Sequence, residues 1–151
     1  MHYLDNLLLN TDSYGIPEAA PTYDAGAALD EHVGWSGADV LDIGCGSGFH
    51  LPVFAAAARS VVGVEPHREL AKRAADRVRH DPRIVVRRGS AEKLPLPDAS
   101  VDVAHARTAY FFDQRCIPGL AEADRVLRPG GRLAILEFST HSMRVFKDLF
   151  G

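Results

Sequence analysis

Apolar positions along the chain follow two rhythms. Short, nearly continuous runs (Val40-Leu41 with Ile43, Val61-Val62 with Val64, Ile84-Val85-Val86, Val101 with Val103, and Leu133-Ala134-Ile135-Leu136) have the length and β-branching of buried strands. They predict strands at 40–43, 60–65, 83–88, 100–105 and 132–138. Between them the period lengthens. Leu70, Ala71, Ala74, Ala75 and Val78 recur at helical spacing over 67–80 and predict an inward face, with Arg68, Lys72, Arg73, Arg77 and Arg79 outward. Helices are also predicted over 51–58, where Pro52 is tolerated only in the first turn, and over 114–127. Further helices are expected at 24–34, with Ala25, Ala28, Leu29, His32 and Val33 on one side, and over 139–150. Residues 1–23 read as a short apolar helix and an arm broken by Asn10-Thr-Asp-Ser13 and two prolines.

Strands alternating with helices at this spacing imply a parallel sheet covered on both faces. Right-handed crossovers make it an α/β, doubly wound, Rossmann-like three-layer sandwich, with ligands expected beyond the carboxyl ends of the strands. The proline-rich Leu94-Pro-Leu-Pro-Asp98 and the turn Arg128-Pro-Gly-Gly131 are connectors inside one domain covering 1–151: an arm at 1–23, a core at 24–138 and a terminal helix at 139–151.

Composition narrows the class without naming a chemistry. A chain of 151 residues can bury roughly two thirds of its unfolded surface and needs no staples. Cys45 and Cys116 lack disulfide or metal-type spacing, no signal-like segment follows Met1, and no apolar run is long enough for a bilayer, so a cytoplasmic, non-membrane protein is expected. Net charge is −3, unevenly spread. Residues 1–58 carry eight acids and no Lys or Arg, while all 17 basic residues follow from Arg59 onward. That split fits two differently solvated surfaces, an acidic lid on a basic body, or a nucleic-acid footprint. The basic stretch from Arg68 to Arg88 has no interleaved aromatic platform, and an amphipathic helix needs a polar face anyway, which argues against nucleic acid.

The chemistry concentrates in Val40-Leu-Asp-Ile-Gly-Cys-Gly-Ser-Gly-Phe-His50, an apolar run that breaks into alternate glycines, Gly44, Gly46 and Gly48. A strand, a glycine turn and a helix start predict free N–H groups facing a nucleotide-like ligand. The dinucleotide pattern G-x-G-x-x-G needs a third glycine where Phe49 stands, and the Gly-Lys-Ser/Thr of a mononucleotide loop is absent. Glu65 ends the next strand, 21 residues after Gly44. It suits the diol of an adenosine ribose, or is a solvated strand-end acid; the glycine loop before it favours the former.

With that loop, Val62-Gly-Val-Glu-Pro66, Gly89-Ser-Ala-Glu92, Leu94-Pro-Leu-Pro-Asp98, Val101-Asp-Val103 and Arg125-Val-Leu-Arg-Pro-Gly-Gly-Arg-Leu133 form an ordered series across about two thirds of the chain. The series resembles class I S-adenosylmethionine-dependent methyltransferases, nearest the quinone-ring and small-molecule group known as methyltransferase type 11. The resemblance implies strand order 3-2-1-4-5. It implies that Asp42 and the Gly44, Cys45, Gly46 and Gly48 backbone hold the cofactor's amino-acid end, directly or through water, and that Glu65 takes the ribose. Pro66 would lie on the adenine, Ser90 and Ala91, with Glu92 beside them, at its edge, and Ala106 and Arg107 near the sulfonium. Ser90 stands where many relatives have Asp, so an uncharged hydroxyl replaces a carboxylate there. Asp42 has a second reading, fixing the loop through backbone amides. Relatives usually continue with a helix and two more strands, for which about a dozen residues remain here after the fifth strand. If five strands are all there is, the fifth would be an edge needing cover, expected from the 139–150 helix or a second copy of the chain.

For the methyl acceptor the candidates are His50, His141 and the aromatic Tyr110-Phe111-Phe112, which either cradles a planar substrate or caps the core. His105, in a central strand, is a further candidate. Single histidines are more often packed than basic, no general base is assigned, and no metal ligand set emerges. Arg107 would bind an acidic acceptor or pair with an acid such as Asp113. The expected activity is transfer of the S-adenosylmethionine methyl group to an O, N or C nucleophile of a small molecule, giving S-adenosylhomocysteine. The alternatives are a methyltransferase-like binding module or partner subunit and, behind it, an RNA methyltransferase.

Overall fold

The structure is a computed structural model that describes residues 33–107, 109 and 116–136. In chain order its elements are β1 (Asp39–Ile43), α1 (Leu51–Ala55), β2 (Ser60–Glu65), α2 (Arg68–Val78), β3 (Ile84–Arg88), β4 (Val101–Arg107), α3 (Ile117–Val126) and β5 (Leu127–Leu136). The strands form one five-stranded sheet in the order β3-β2-β1-β4-β5. Every pairing is parallel, as continuous apolar runs require.

Alternation along the central strands sends side chains to two cores. Val40, Val61 and Val103 pack with Leu51 and Phe54 of α1 and Ala74 and Val78 of α2. Leu41, Ile43, Val64 and Ala104 pack with Ala123 and Val126 of α3 and with Leu94 and Leu96 of the proline loop. Trp35 closes the first core edge-to-face on Phe54, ring centroids 5.0 Å apart.

Several local expectations are corrected. α1 stops at Ala55 because the Ala57 carbonyl accepts from Gly37 N (2.8 Å) and Arg59 N donates to Ala38 O (2.8 Å), turning the chain into β2. Ala75 lies exposed at the margin of a narrow α2 stripe whose buried members are Leu70, Ala71, Ala74 and Val78. Val85 is 46% exposed, since β3 is an edge strand. The turn expected at Arg128–Gly131 lies inside β5: β4 pairs Val101 with Leu127 and then Val103 with Arg132, so the intervening residues bulge out of the ladder. The arm at 1–23, nearly all of the 24–34 helix and the 139–151 segment lie outside the described residues.

Two charged clusters tie these elements together. At the amino ends of the strands, Asp39 takes two bonds from Arg59 (2.9 and 2.6 Å), one from Ser60 Oγ (2.7 Å) and an ion pair with Arg128 (3.0 Å). Asp102 accepts from Asp39 N (2.8 Å) and Arg128 (2.7 Å). β1, β2, β4 and β5 are thus joined at the edge opposite the glycine loop. Under α3, Arg125 binds Glu122, Asp98 and the carbonyls of Leu94 and Leu96, while Glu122 accepts from Leu94 N (2.8 Å). The proline loop is clamped to α3 by Glu122 and by Arg125, the first residue of the Arg125–Leu133 motif.

Candidate functional site

Register brings the carboxyl ends of the strands to one edge: Ile43 pairs with Val64 and with Ala106, and Glu65 with Arg88. Above that edge lie the Gly44–Gly48 loop, Glu65-Pro66, the Ser90–Glu92 turn, Ala106-Arg107 and His50. The sequence-predicted residues that are described therefore converge. They do so where β1 neighbours both β2 and β4, the switch point at which crossovers leave in opposite directions and a crevice opens. Tyr110, Phe111 and His141 lie outside the described residues, as do Phe112 and Asp113.

The loop is built by positive φ, 71° at Gly44, 56° at Gly46 and 78° at Gly48. Close packing adds a second reason for the last glycine: a Cβ on Gly48 would meet Ala74 Cβ at 2.9 Å. The amides are largely committed inside the protein. Gly44 N and Cys45 N donate to Val64 O (2.8 and 3.1 Å), Gly48 N to Cys45 O (2.9 Å) and Gly46 N to Glu65 Oε2 (3.0 Å). The expectation of free N–H groups is corrected by this geometry. A loop with four of its amides engaged, followed by a helix of five residues, makes a poor phosphate cradle.

What the loop adjoins is negative charge. Glu65, 3% exposed, accepts from Gly46 N and, through Oε1, from His67 N (2.9 Å). It is not a solvated strand-end acid. Burial raises its carboxyl above the ordinary value, opposed by those two amides. Two bonds leave a carboxylate room for about two more, which a vicinal diol would fill. Loop-fixing, considered for Asp42, thus falls to Glu65. Asp42, also 3% exposed, instead accepts through Oδ1 from His105 Nδ1 at 2.7 Å. Burial and the nearby Asp42 and Glu65 carboxylates push the Cys45 thiol far above its usual range, which disfavours the thiolate.

Across the crevice Arg107 Nη1 donates to His50 Nε2 (3.0 Å). Arg has no acceptor to offer, so the lone pair of Nε2 is occupied and the His50 proton sits on Nδ1. Burial lowers the His50 pKa, opposed by the Asp42 carboxylate and assisted by Arg107. As it stands, His50 is not poised to take a proton through Nε2. Ser90 and Ala91 are half-buried and Glu92 exposed, in a turn closed by Lys93 N donating to Ser90 O (3.1 Å). The Gly89 amide approaches Glu65 O (3.4 Å), which sets that turn beside Glu65 and Pro66.

Two features were not read from the sequence. His67 completes the Glu65 cradle with its amide, and its Nδ1 is buried without a partner. The Asp42–His105 pair joins residues 63 apart and is set only by the β1–β4 register. Among the described residues no group of three or more His, Cys, Asp or Glu could hold a metal, and no helix is long and apolar enough to cross a membrane.

A buried acidic floor under an amide-depleted glycine loop, with a strand-end carboxylate in reach, suits an adenosine compound carrying positive charge. The residues fit S-adenosylmethionine better than a pyrophosphate ligand. Comparison with known proteins agrees. A family described as a methyltransferase domain matches residues 41–135. The chain is 38% identical over 117 residues to a ubiquinone/menaquinone biosynthesis C-methyltransferase of Rubrivivax gelatinosus, covering 76% of this chain and 46% of that protein. It is 38% identical over 107 residues to the 27-O-demethylrifamycin SV methyltransferase of Amycolatopsis mediterranei, covering 68% and 39%. The chain thus spans less than half the length of these curated relatives. A crystal structure of a methyltransferase from Aquifex aeolicus superposes with TM-score 0.73 at 25% identity, over 89% of this chain and 72% of that one.

Proposed function

From the premise that this chain belongs to the methyltransferase domain family of class I S-adenosylmethionine-dependent enzymes, we propose that it binds S-adenosylmethionine above the β1–β4 junction and methylates an O, N or C nucleophile of a small molecule. The observation that carries the reading is the Glu65 carboxylate, buried and bonded to Gly46 N, which couples the glycine loop to the ribose position.

When bound, the cofactor supplies a methyl group on a sulfonium, a good electrophile that leaves S-adenosylhomocysteine. The chain's own residues then have to hold, orient and dry the reactants; alignment alone can lower a barrier by about 7–11 kcal/mol. In this reading Glu65 takes the ribose hydroxyls, Asp42 the amino-acid end, Pro66 and Ser90-Ala91 the adenine, and Ala106-Arg107 form the wall on the acceptor side. Arg107 and His50 present donors toward an acceptor oxygen. Small-molecule specificity is supported by relatives named for ubiquinone/menaquinone biosynthesis and for 27-O-demethylrifamycin SV.

The test is incubation of a cell extract with methyl-labelled S-adenosylmethionine, with and without the protein, followed by mass spectrometry. A new labelled small molecule is expected. Label found only in RNA would overturn the small-molecule part. Calorimetric binding of S-adenosylhomocysteine with no transfer to any component would favour a cofactor-binding subunit.

A further inference from the structure

Three charged or polar side chains are buried among the described residues: Glu65, Asp42 and His105. Glu65 has two amide donors. Among the described residues the Asp42 side chain has one hydrogen-bond partner, the His105 imidazole, at 2.7 Å from Nδ1 to Oδ1. The two residues are register partners on adjacent strands, so the bond bridges β1 and β4 directly beneath the switch-point crevice. The second Asp42 oxygen has no hydrogen-bond partner among the described residues and has lone pairs left to accept with.

The His105 ring is not presented as a base. Its Nε2 is buried without a partner, and the ring packs against Phe54 (centroids 5.0 Å) and beneath His50 (6.0 Å). Aromatic packing on one side and the Nδ1 bond on the other lock the imidazole, and the locked imidazole locks Asp42. Charge around the pair is asymmetric: Asp42 lies at the floor, and the Arg107–His50 contact lies nearer the rim.

We propose that His105 is a positioning residue for the cofactor: its Nδ1–H holds Oδ1 of Asp42, so that Oδ2 is offered to the cationic ammonium of the cofactor's amino-acid end. The inference rests on the cofactor reading above and adds a residue to it. It predicts that His105 acts on the amino-acid end and not on the nucleoside end, which Glu65 serves from β2.

Two ligands separate those ends. S-adenosylhomocysteine carries both, whereas 5′-methylthioadenosine has the nucleoside and the sulfur without the amino acid. Calorimetry on the full chain is expected to show His105→Leu weakening S-adenosylhomocysteine by about tenfold or more, with 5′-methylthioadenosine changed by less than about twofold. His105→Asn, which keeps a donor near Nδ1, is expected to retain most of the wild-type ratio between the two ligands. Asp42→Asn should reproduce the loss, and adding His105→Leu to it should cost little more, because both changes act on one contact. Parallel loss of both ligands in a folded His105→Leu protein, or no loss of either, overturns the proposal. If His105→Leu does not fold, His105→Asn decides: a collapsed ratio in that variant overturns it. Failure of the wild-type chain to bind S-adenosylhomocysteine overturns the cofactor reading and this inference with it, whereas wild-type binding without the ligand-selective loss overturns this inference alone.

Discussion

A carboxylate has room for about four hydrogen bonds, and Glu65 uses two of its places on the amides of Gly46 and His67. Glu65→Gln turns one of those acceptors into a donor facing an amide. Affinity for S-adenosylhomocysteine is therefore expected to fall about tenfold or more in calorimetry; unchanged affinity would remove Glu65 from the site. Because burial raises this carboxyl, it protonates at higher pH than an exposed Glu. Binding should weaken as pH is lowered through that raised value, before the ordinary Glu range near about 4.3 is reached. Stability runs the other way at this residue. A raised folded pKa contributes stability below the unfolded value and loses it as pH rises through the folded one. Gly48 is constrained by conformation and by space, with φ 78° and the Ala74 Cβ in the way. Gly48→Ala is expected to cost about 1–3 kcal/mol, read from the urea midpoint.

Between elements, the clamp of α3 on the proline loop has a definite pH signature. Arg125 beside Glu122 lowers the Glu122 carboxyl to about 2. A depressed pKa contributes stability above the unfolded value and loses it as pH falls through the folded one. The urea midpoint should therefore decline between about pH 4.5 and about pH 2, and Glu122→Gln should remove part of that decline. A decline of the same size in the variant would show that other carboxylates account for it. Arg125, Glu122 and Asp98 are partly open to solvent, so the clamp should also weaken in high salt. The loop it holds carries Leu94 and Leu96 into the core beside Val64, the residue preceding Glu65, and so supports the floor of the site from below.

At the scale of the molecule, the sheet has a sewn end and an open end. Asp39, Arg59, Asp102 and Arg128 knit the amino ends of the strands, and Arg59 beside Asp39 holds that carboxyl well below the usual range. The carboxyl ends carry the glycine loop, Glu65 and the Asp42–His105 bridge. A ligand that binds only the folded chain stabilises it by about 2.7 kcal/mol at a hundred times its dissociation constant. S-adenosylhomocysteine is therefore expected to raise the melting temperature and to slow hydrogen exchange in residues 44–50 and 65–67. Glu65→Gln should abolish most of both effects at the same ligand concentration. Exchange slowed uniformly over the sheet, with no excess in those segments, would place the ligand elsewhere.

Local patterns were enough for much of this protein. Apolar runs and helical spacing placed the strands and helices, and the alternate glycines with Glu65 marked residues that meet at the carboxyl edge of the sheet, because period and spacing are properties of neighbouring residues. The family resemblance supplied the strand order that the structure bears out. Three things needed the folded chain. Whether a loop amide is open to a ligand depends on where the end of β2 lies, and the Gly44, Cys45 and Gly46 amides proved to be taken by Val64 and Glu65. Whether Val85 is covered depends on which strand is the edge. The Asp42–His105 bridge exists only because parallel register sets two residues 63 apart side by side in a place closed to water, a pairing that no local periodicity encodes.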